Sequence, residues 1–268
     1  MSAKLDSPAR RGAIASLVLL VLFLAGWEWG PGLLGIPSFI IPSASAVAAE
    51  GVRMWNVSHL LFHTGVTFAE VIVGFAIGSL LGAVIGYLLG MSPSAELALS
   101  PYILALQIAP KVAFAPLFVL WMGFSVYPKI LVAVLIVFFP VMINVLTAIR
   151  AVDHDLINLA RSFKATRAQI FWKIEFPASM PATFAGLRIA STLAVVGVVV
   201  GELVGGNVGL GFLLSFGEGQ ANTAMVFVAI VMLTIVGGIA YLAVILAERR
   251  VLHYLPARGY QGLDFRVG

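Results

Sequence analysis

The chain has 268 residues, with 16 Lys and Arg against 12 Asp and Glu, for a net charge of +4. Only 10% of the residues are charged and 61% are hydrophobic, whereas a water-soluble domain is about 25% charged. This composition excludes a soluble globular domain and a disordered chain, and the absence of cysteine excludes a disulfide-stapled secreted module. The natural solvent for so much apolar surface is a bilayer.

A helix needs about 20 apolar residues to cross the roughly 30 Å hydrocarbon layer. The first uncharged run, 12–27, follows Lys4, Arg10 and Arg11 and ends at Trp27-Glu28-Trp29 and a Gly-Pro-Gly break. It reads as a span with an interfacial aromatic anchor rather than a cleaved leader. His59 and His63 are four residues apart with no third ligand nearby, so we expect the entry to the next span there and no metal site. The second run, 71–95, carries Gly74, Gly78, Gly82, Gly86 and Gly90 at strict intervals of four. That spacing draws one stripe of small residues along a helix and lets a second backbone approach closely.

The third segment, 97–128, is interrupted by Lys111 and by Pro101, Pro110, Pro116 and Pro128. It is expected to kink or split into two pieces. The fourth run is 130–149. The fifth, 176–201, contains Arg188 and leads a second glycine series, Gly197, Gly201 and Gly205, and the sixth is 219–247. The fold class expected is therefore an all-α polytopic membrane protein of about six spans, with 1–268 forming one transmembrane domain.

Lys and Arg between spans set orientation. The N-tail, the segment 150–180 and the C-tail, which includes Arg249, Arg250, Arg258 and Arg266, hold 12 of the 16, while Arg53 and Lys129 fall on the opposite side. Both termini and 150–180 are thus expected to be cytoplasmic.

The segment 150–180 reads as two short amphipathic helices. Leu156, Leu159, Ala160 and Phe163 line one side of the first. Thr166 is a plausible N-cap of the second, which carries Ile170, Phe171 and Ile174 before Pro177 ends it. Within the spans, Lys111 and Glu202 are ionisable and Gln107 and Asn144 can hydrogen-bond, so these four are the candidate substrate-path residues. Glu70 and Arg188 lie near span ends, where snorkelling to the interface is expected.

The segment 158–177 resembles the cytoplasmic signature of inner-membrane permeases of binding-protein-dependent ABC importers: Glu-Ala-Ala, three residues, Gly, nine residues, Ile-x-Leu-Pro. Here it runs Asn158-Leu159-Ala160, Lys164 followed by Ala165, then Ile174-Glu175-Phe176-Pro177, with spacing kept and with Asn158 and Lys164 replacing Glu and Gly. His59, Thr67, Gly74-Phe75, the glycine series, Pro116-Leu117, Trp121, Gly123, Glu202 and Gly209-Leu210-Gly211 are similar to the branch handling sulfonates, taurine, nitrate and pyrimidine vitamin precursors. Where that branch carries Arg, this chain has Glu70.

The resemblance implies a permease subunit of the bacterial inner membrane in a type I fold, with 150–180 as the loop that couples to an ATPase. Phe163 and Phe171 would be its apolar knob. It implies an ABC ATPase dimer that carries ATP and Mg, an external solute-binding protein (periplasmic or lipid-anchored), a second permease copy as a homodimer, and no nucleic acid. The chain lacks a Gly-x4-Gly-Lys-[Ser/Thr] phosphate loop, so ATP hydrolysis and its cofactors are expected on the partner. The competing class is a secondary transporter or channel, but 10–130 and 130–250 show no inverted repeat. An intramembrane enzyme would need a nucleophile with its base, or paired His ligands, within the spans, yet all four His fall outside the six apolar runs.

Overall fold

The computed structural model describes residues 8–254, with side chains from residue 12 onward. Lys4, Arg258 and Arg266 lie outside the described residues, as do the side chains of Arg10 and Arg11. Every regular element among the described residues is helical: α1 (Pro8–Leu33), α2 (Ala44–Val57), α3 (Leu60–Gly90), α4 (Pro93–Ile108), α5 (Ala115–Met122), α6 (Val126–Arg150), α7 (His154–Ser162), α8 (Arg167–Ile170), α9 (Phe176–Gly205), α10 (Leu210–Gly219) and α11 (Thr223–Val251). Five helical stretches are long and apolar enough to cross a bilayer, and α4 with α5 supplies a sixth as a broken span.

The break has a local cause. Ser92 caps α4 and Pro93 opens it, while Pro101 is accommodated inside it. Ala109 precedes Pro110 and is held extended (φ −53°, ψ 134°), as steric conflict with the proline ring requires. A 3-10 turn, Lys111–Phe114, then re-aims the chain, so that the two arms meet at 77°. Pro116 fits the first turn of α5, where no backbone donor is needed, and Gly123 ends it at φ 72°. Pro128 falls in the first turn of α6, and Pro140 sits inside that helix without breaking it.

The chain divides into two compact units. In the larger, 61–215 with 229–253, α6 runs between α3 and α9. The five glycines of the stripe in α3 face α6: a Cβ at Gly74 would lie 2.7 Å from Ala133 Cβ, at Gly78 2.9 Å from the Val134 carbonyl, at Gly82 2.6 Å from the Phe138 carbonyl, and at Gly90 2.8 Å from Ile149 Cγ2. Gly86 faces the Met142 carbonyl in the same way. From the other side, Gly197 and Gly201 of α9 press on the backbone of Ala133 and Lys129. The core lies along α6, where Val132, Val137, Val141 and Met142 are fully enclosed. Arg188 of α9 pairs with the buried Glu248 of α11, so it does not snorkel: an anionic partner on the next helix is within reach.

In the smaller unit, 8–60 with 216–228 and 254, Trp27 donates to the Pro42 carbonyl at 3.0 Å. The Glu28 carboxylate takes the Ser45 N–H and hydroxyl at 2.8 and 2.6 Å and so anchors the start of α2. Glu50 accepts from Arg53 at 2.7 Å and from Asn222 at 2.9 Å. The Arg53 guanidinium, reinforced by Asn222, holds the Glu50 carboxyl below the usual carboxylate range.

Candidate functional site

The segment after α6 leaves the bundle as a closed set of caps. Asp153 caps α7, accepting from the Asp155 N–H at 2.8 Å. The helix presents Leu156, Leu159 and Phe163 outward, at 51%, 56% and 79% exposure. This is an apolar row on a helix whose other exposed residues are polar. At its end Ala165 N–H reaches the Ala160 carbonyl at 3.0 Å and Lys164 N–H the Arg161 carbonyl at 2.8 Å, the pair of bonds that closes a helix around one left-handed residue. That residue is Lys164, at φ 58°. The signature's glycine position is thus a left-handed turn, and this chain makes the turn with lysine at a steric cost of about 1–2 kcal/mol. Thr166 and Gln169 cap α8 reciprocally, at 3.3 and 2.8 Å.

Two expectations for this segment are corrected. Pro177 does not end the second helix. A π-turn, Phe171–Glu175, widens the helix just before it, the Phe176 N–H bonds back to the Phe171 carbonyl, and the helix continues as α9. The extra residue lets the ladder pass a ring that would otherwise clash with the carbonyl four residues earlier. Phe171 is not an exposed knob either. It packs edge-on against Tyr87 of α3 at 4.7 Å, and Trp172, 63% exposed, takes the outward position. Ile174 is half-buried in the same turn. Glu175 is buried, accepts from the Tyr87 hydroxyl at 3.4 Å and lies 3.6 Å from Arg167.

Three of the four sequence-derived path residues line one cavity. Gln107, Lys111 and Asn144 surround a space of about 390 Å³ with Phe139, Pro140, Ile143 and Leu193. The break at Pro110 makes it: Lys111 turns its ammonium back onto the Gln107 and Ala109 carbonyls at the end of α4 (2.6 and 3.5 Å), and it sits 4.8 Å from the centre of the Phe139 ring. Both contacts favour a cation, the first as a charge on helix-terminal carbonyls and the second on the ring face. No carboxylate among the described residues bonds to Lys111. Asn144 donates to the Pro140 carbonyl at 2.8 Å.

Glu202 lies elsewhere, in a buried polar cluster that sequence reasoning did not assemble. Its Oε1 accepts from the Thr67 hydroxyl at 2.7 Å and its Oε2 from the Gly211 N–H at 2.6 Å. The Thr67 oxygen accepts from the Leu210 N–H at 2.8 Å, and His63 Nδ1 accepts from the Gly209 N–H at 3.0 Å. Three successive N–H groups at the start of α10 are thus held by side chains of α3 and α9. Gly209 is at φ 116°, and a Cβ there would collide with the Glu202 carboxylate. Glu70 does not snorkel: it is 4% exposed and accepts from Lys129 Nζ at 2.9 Å. Lys129, placed in a loop by the sequence, is 3% exposed in the first helical turn of α6.

This fold, with five apolar spans, a broken sixth, and an amphipathic loop continuous with a span, defines a multi-pass transport subunit. Residues 74–253 match the family of binding-protein-dependent transport system inner membrane components, and the chain belongs to that family. It is 38% identical over 245 residues to the riboflavin transport system permease protein RibX of Chloroflexus aurantiacus, covering 90% of each chain. It is 32% identical to the putative aliphatic sulfonates transport permease protein SsuC of Bacillus subtilis, covering 94% of this chain and 91% of that one. It is 31% identical to the formylaminopyrimidine transport permease protein ThiX of Halalkalibacterium halodurans, covering 87% and 92%. Among solved structures, an inward-facing MetNI methionine ABC transporter matches with a TM-score of 0.60 at 20% identity, over 74% of this chain and 97% of that one. The protein is a transmembrane permease subunit of an ABC importer for a small solute.

Proposed function

We propose that this subunit passes a small anionic or strongly hydrogen-bonding solute through a path that includes Gln107, Lys111 and Asn144. The observation that carries this is the Lys111 ammonium beside a cavity, satisfied by carbonyls and a ring face with no acid bonded to it. A cation held this way retains attraction for an incoming anion. The relatives transport riboflavin, aliphatic sulfonates and formylaminopyrimidine, as their names state, and all three solute types offer several hydrogen-bond acceptors.

In this reading the whole chain works as one permease domain with both termini in the cytoplasm, in the inner membrane of a bacterium. An external binding protein delivers the solute. A separate ATPase dimer, which holds ATP and Mg, docks on the loop 150–180, with Leu156, Leu159 and Phe163 in its cleft. Two copies of the chain assemble around the path, the commonest closed symmetry.

The test is Lys111→Met in vesicles reconstituted with the partner ATPase and binding protein. Solute uptake should slow while assembly and basal ATPase activity persist. Normal uptake by this variant would remove Lys111 from the path.

A further inference from the structure

The cavity beside Lys111 carries its donors and its acceptors on different elements. After α4, the Lys111 ammonium donates to the Gln107 and Ala109 carbonyls and keeps its positive charge on the cavity. On α6 the polar atoms are oxygens. Pro140 has no N–H, so the Ile136 carbonyl goes without its helical donor, and both residues line the cavity. One turn further on, the Asn144 amide donates to the Pro140 carbonyl at 2.8 Å.

That bond decides which way the amide faces. A carbonyl only accepts, so a flipped amide would set oxygen against oxygen, and the nitrogen must be the atom beside Pro140. The nitrogen is also tucked against Gly186 of α9: a Cβ at 186 would lie 2.7 Å from Asn144 Cβ and 3.2 Å from Nδ2, so the missing side chain there makes room for the amide in this orientation. Asn144 Oδ1 is therefore turned away from both neighbours. Among the described residues it takes no hydrogen bond, and it is not one of the enclosed polar atoms, so it opens onto the cavity that Asn144 lines.

An anion that can only accept meets a mixed reception here. Lys111 attracts its oxygens, but Asn144 Oδ1 repels them and is left unpaired when the solute displaces water. A solute N–H reverses the sign of that second contact. Given that the cavity belongs to the path, as proposed above, we infer that Asn144 is a specificity-determining residue: its Oδ1 accepts from the solute, which joins an amide or amino N–H to a carbonyl or acidic oxygen. The oxygen goes to Lys111 and the N–H to Asn144. An anion without a donor is the poorer solute.

N-acetylglycinate and N-acetylsarcosinate form the test pair, since the second replaces the single N–H of the first with an N-methyl group and keeps its carboxylate and carbonyl. Saturation-transfer NMR on the full chain in lipid bilayer discs reads their binding. The wild type should bind N-acetylsarcosinate about tenfold more weakly, the usual effect of leaving one acceptor unpaired. Asn144→Leu should level the pair by weakening N-acetylglycinate, whereas Lys111→Met should weaken both. A wild type that binds the two equally, or does not bind N-acetylglycinate, overturns the proposal. A preference that survives in Asn144→Leu also overturns it, because the methyl group's bulk is then the cause. If Lys111→Met leaves both signals unchanged while the wild-type preference holds, the path reading around Lys111 fails and the Asn144 contact stands. The wild-type comparison decides even where a variant fails to assemble.

Discussion

Gly82 lies midway along the α3 stripe, and Gly82→Val is the substitution that most directly tests the packing of α3 on α6. An added Cβ would lie 2.6 Å from the Phe138 carbonyl oxygen and 3.1 Å from both Met142 N and Val141 Cβ. The nearest atom is backbone and cannot rotate aside. To restore an ordinary contact of about 3.4 Å, the helices must separate by about 0.8 Å, and valine adds two methyl groups beyond that. A rigid separation also loosens the close contacts at Gly78 and Gly86 on either side. Overpacking of this kind costs about 1–3 kcal/mol and exceeds that range when backbone is the obstacle. Two controls share the helix. Ala83 borders a separate cavity of about 240 Å³, so Ala83→Val has room and should be mild. A Cβ at Gly65 meets nothing within 4 Å, so Gly65→Ala should stabilise the helix by about 1 kcal/mol. Thermal inactivation midpoints of the three variants in one detergent provide the assay. Equal midpoints for Gly82→Val and Ala83→Val would refute the argument.

On the loop, Phe163→Ala and Phe171→Ala should separate two roles that the sequence joins. Phe163→Ala should weaken ATPase association by about 1–3 kcal/mol and leave the chain's own stability unchanged. Phe171→Ala, which removes packing on Tyr87, should lower the melting midpoint, with a cost of roughly 2–4 kcal/mol. Co-purification and melting curves distinguish the two, and the reverse pattern would exchange the assignments. Lys164→Gly should stabilise the turn by about 1 kcal/mol, since glycine adopts φ 58° freely. Slower amide exchange over 154–166 is the expected readout, and faster exchange would show that the lysine side chain supports the turn.

Features confined to one helix were legible in the sequence. The interval of four in Gly74–Gly90 marks a stripe because helical geometry alone fixes which residues share a face. Thr166 announces a cap for the same reason. A break in the proline-rich third segment was also foreseeable, since a missing donor and a restricted neighbour act on the nearest turn, but not that Pro110 would make it while Pro101 is accommodated inside α4. The buried cluster was not, because Thr67 and Glu202 are 135 residues apart and Glu70 and Lys129 are 59 apart. Only the packing of three helices brings them together, and each residue alone looks like a polar group near a span end. Phe171 was misassigned for a subtler reason. The π-turn adds a residue within one winding and rotates the helix face, so a wheel drawn at 3.6 residues per turn points the wrong aromatic outward.

Because the π-turn carries the chain through Pro177, α8 and α9 form a single helical stretch of 39 residues, Arg167–Gly205. At 1.5 Å per residue its length is about 58 Å. One end bears the aromatic group that grips α3 through Tyr87, and the other bears Glu202, which fastens the start of α10. A tilt of about 5° around its middle would move each end by about 2.5 Å in opposite directions. That travel is enough to break a hydrogen bond of 2.6 Å at the far end. A stretch of this length would act as a lever, turning a small tilt near its middle into a bond-breaking displacement at its ends.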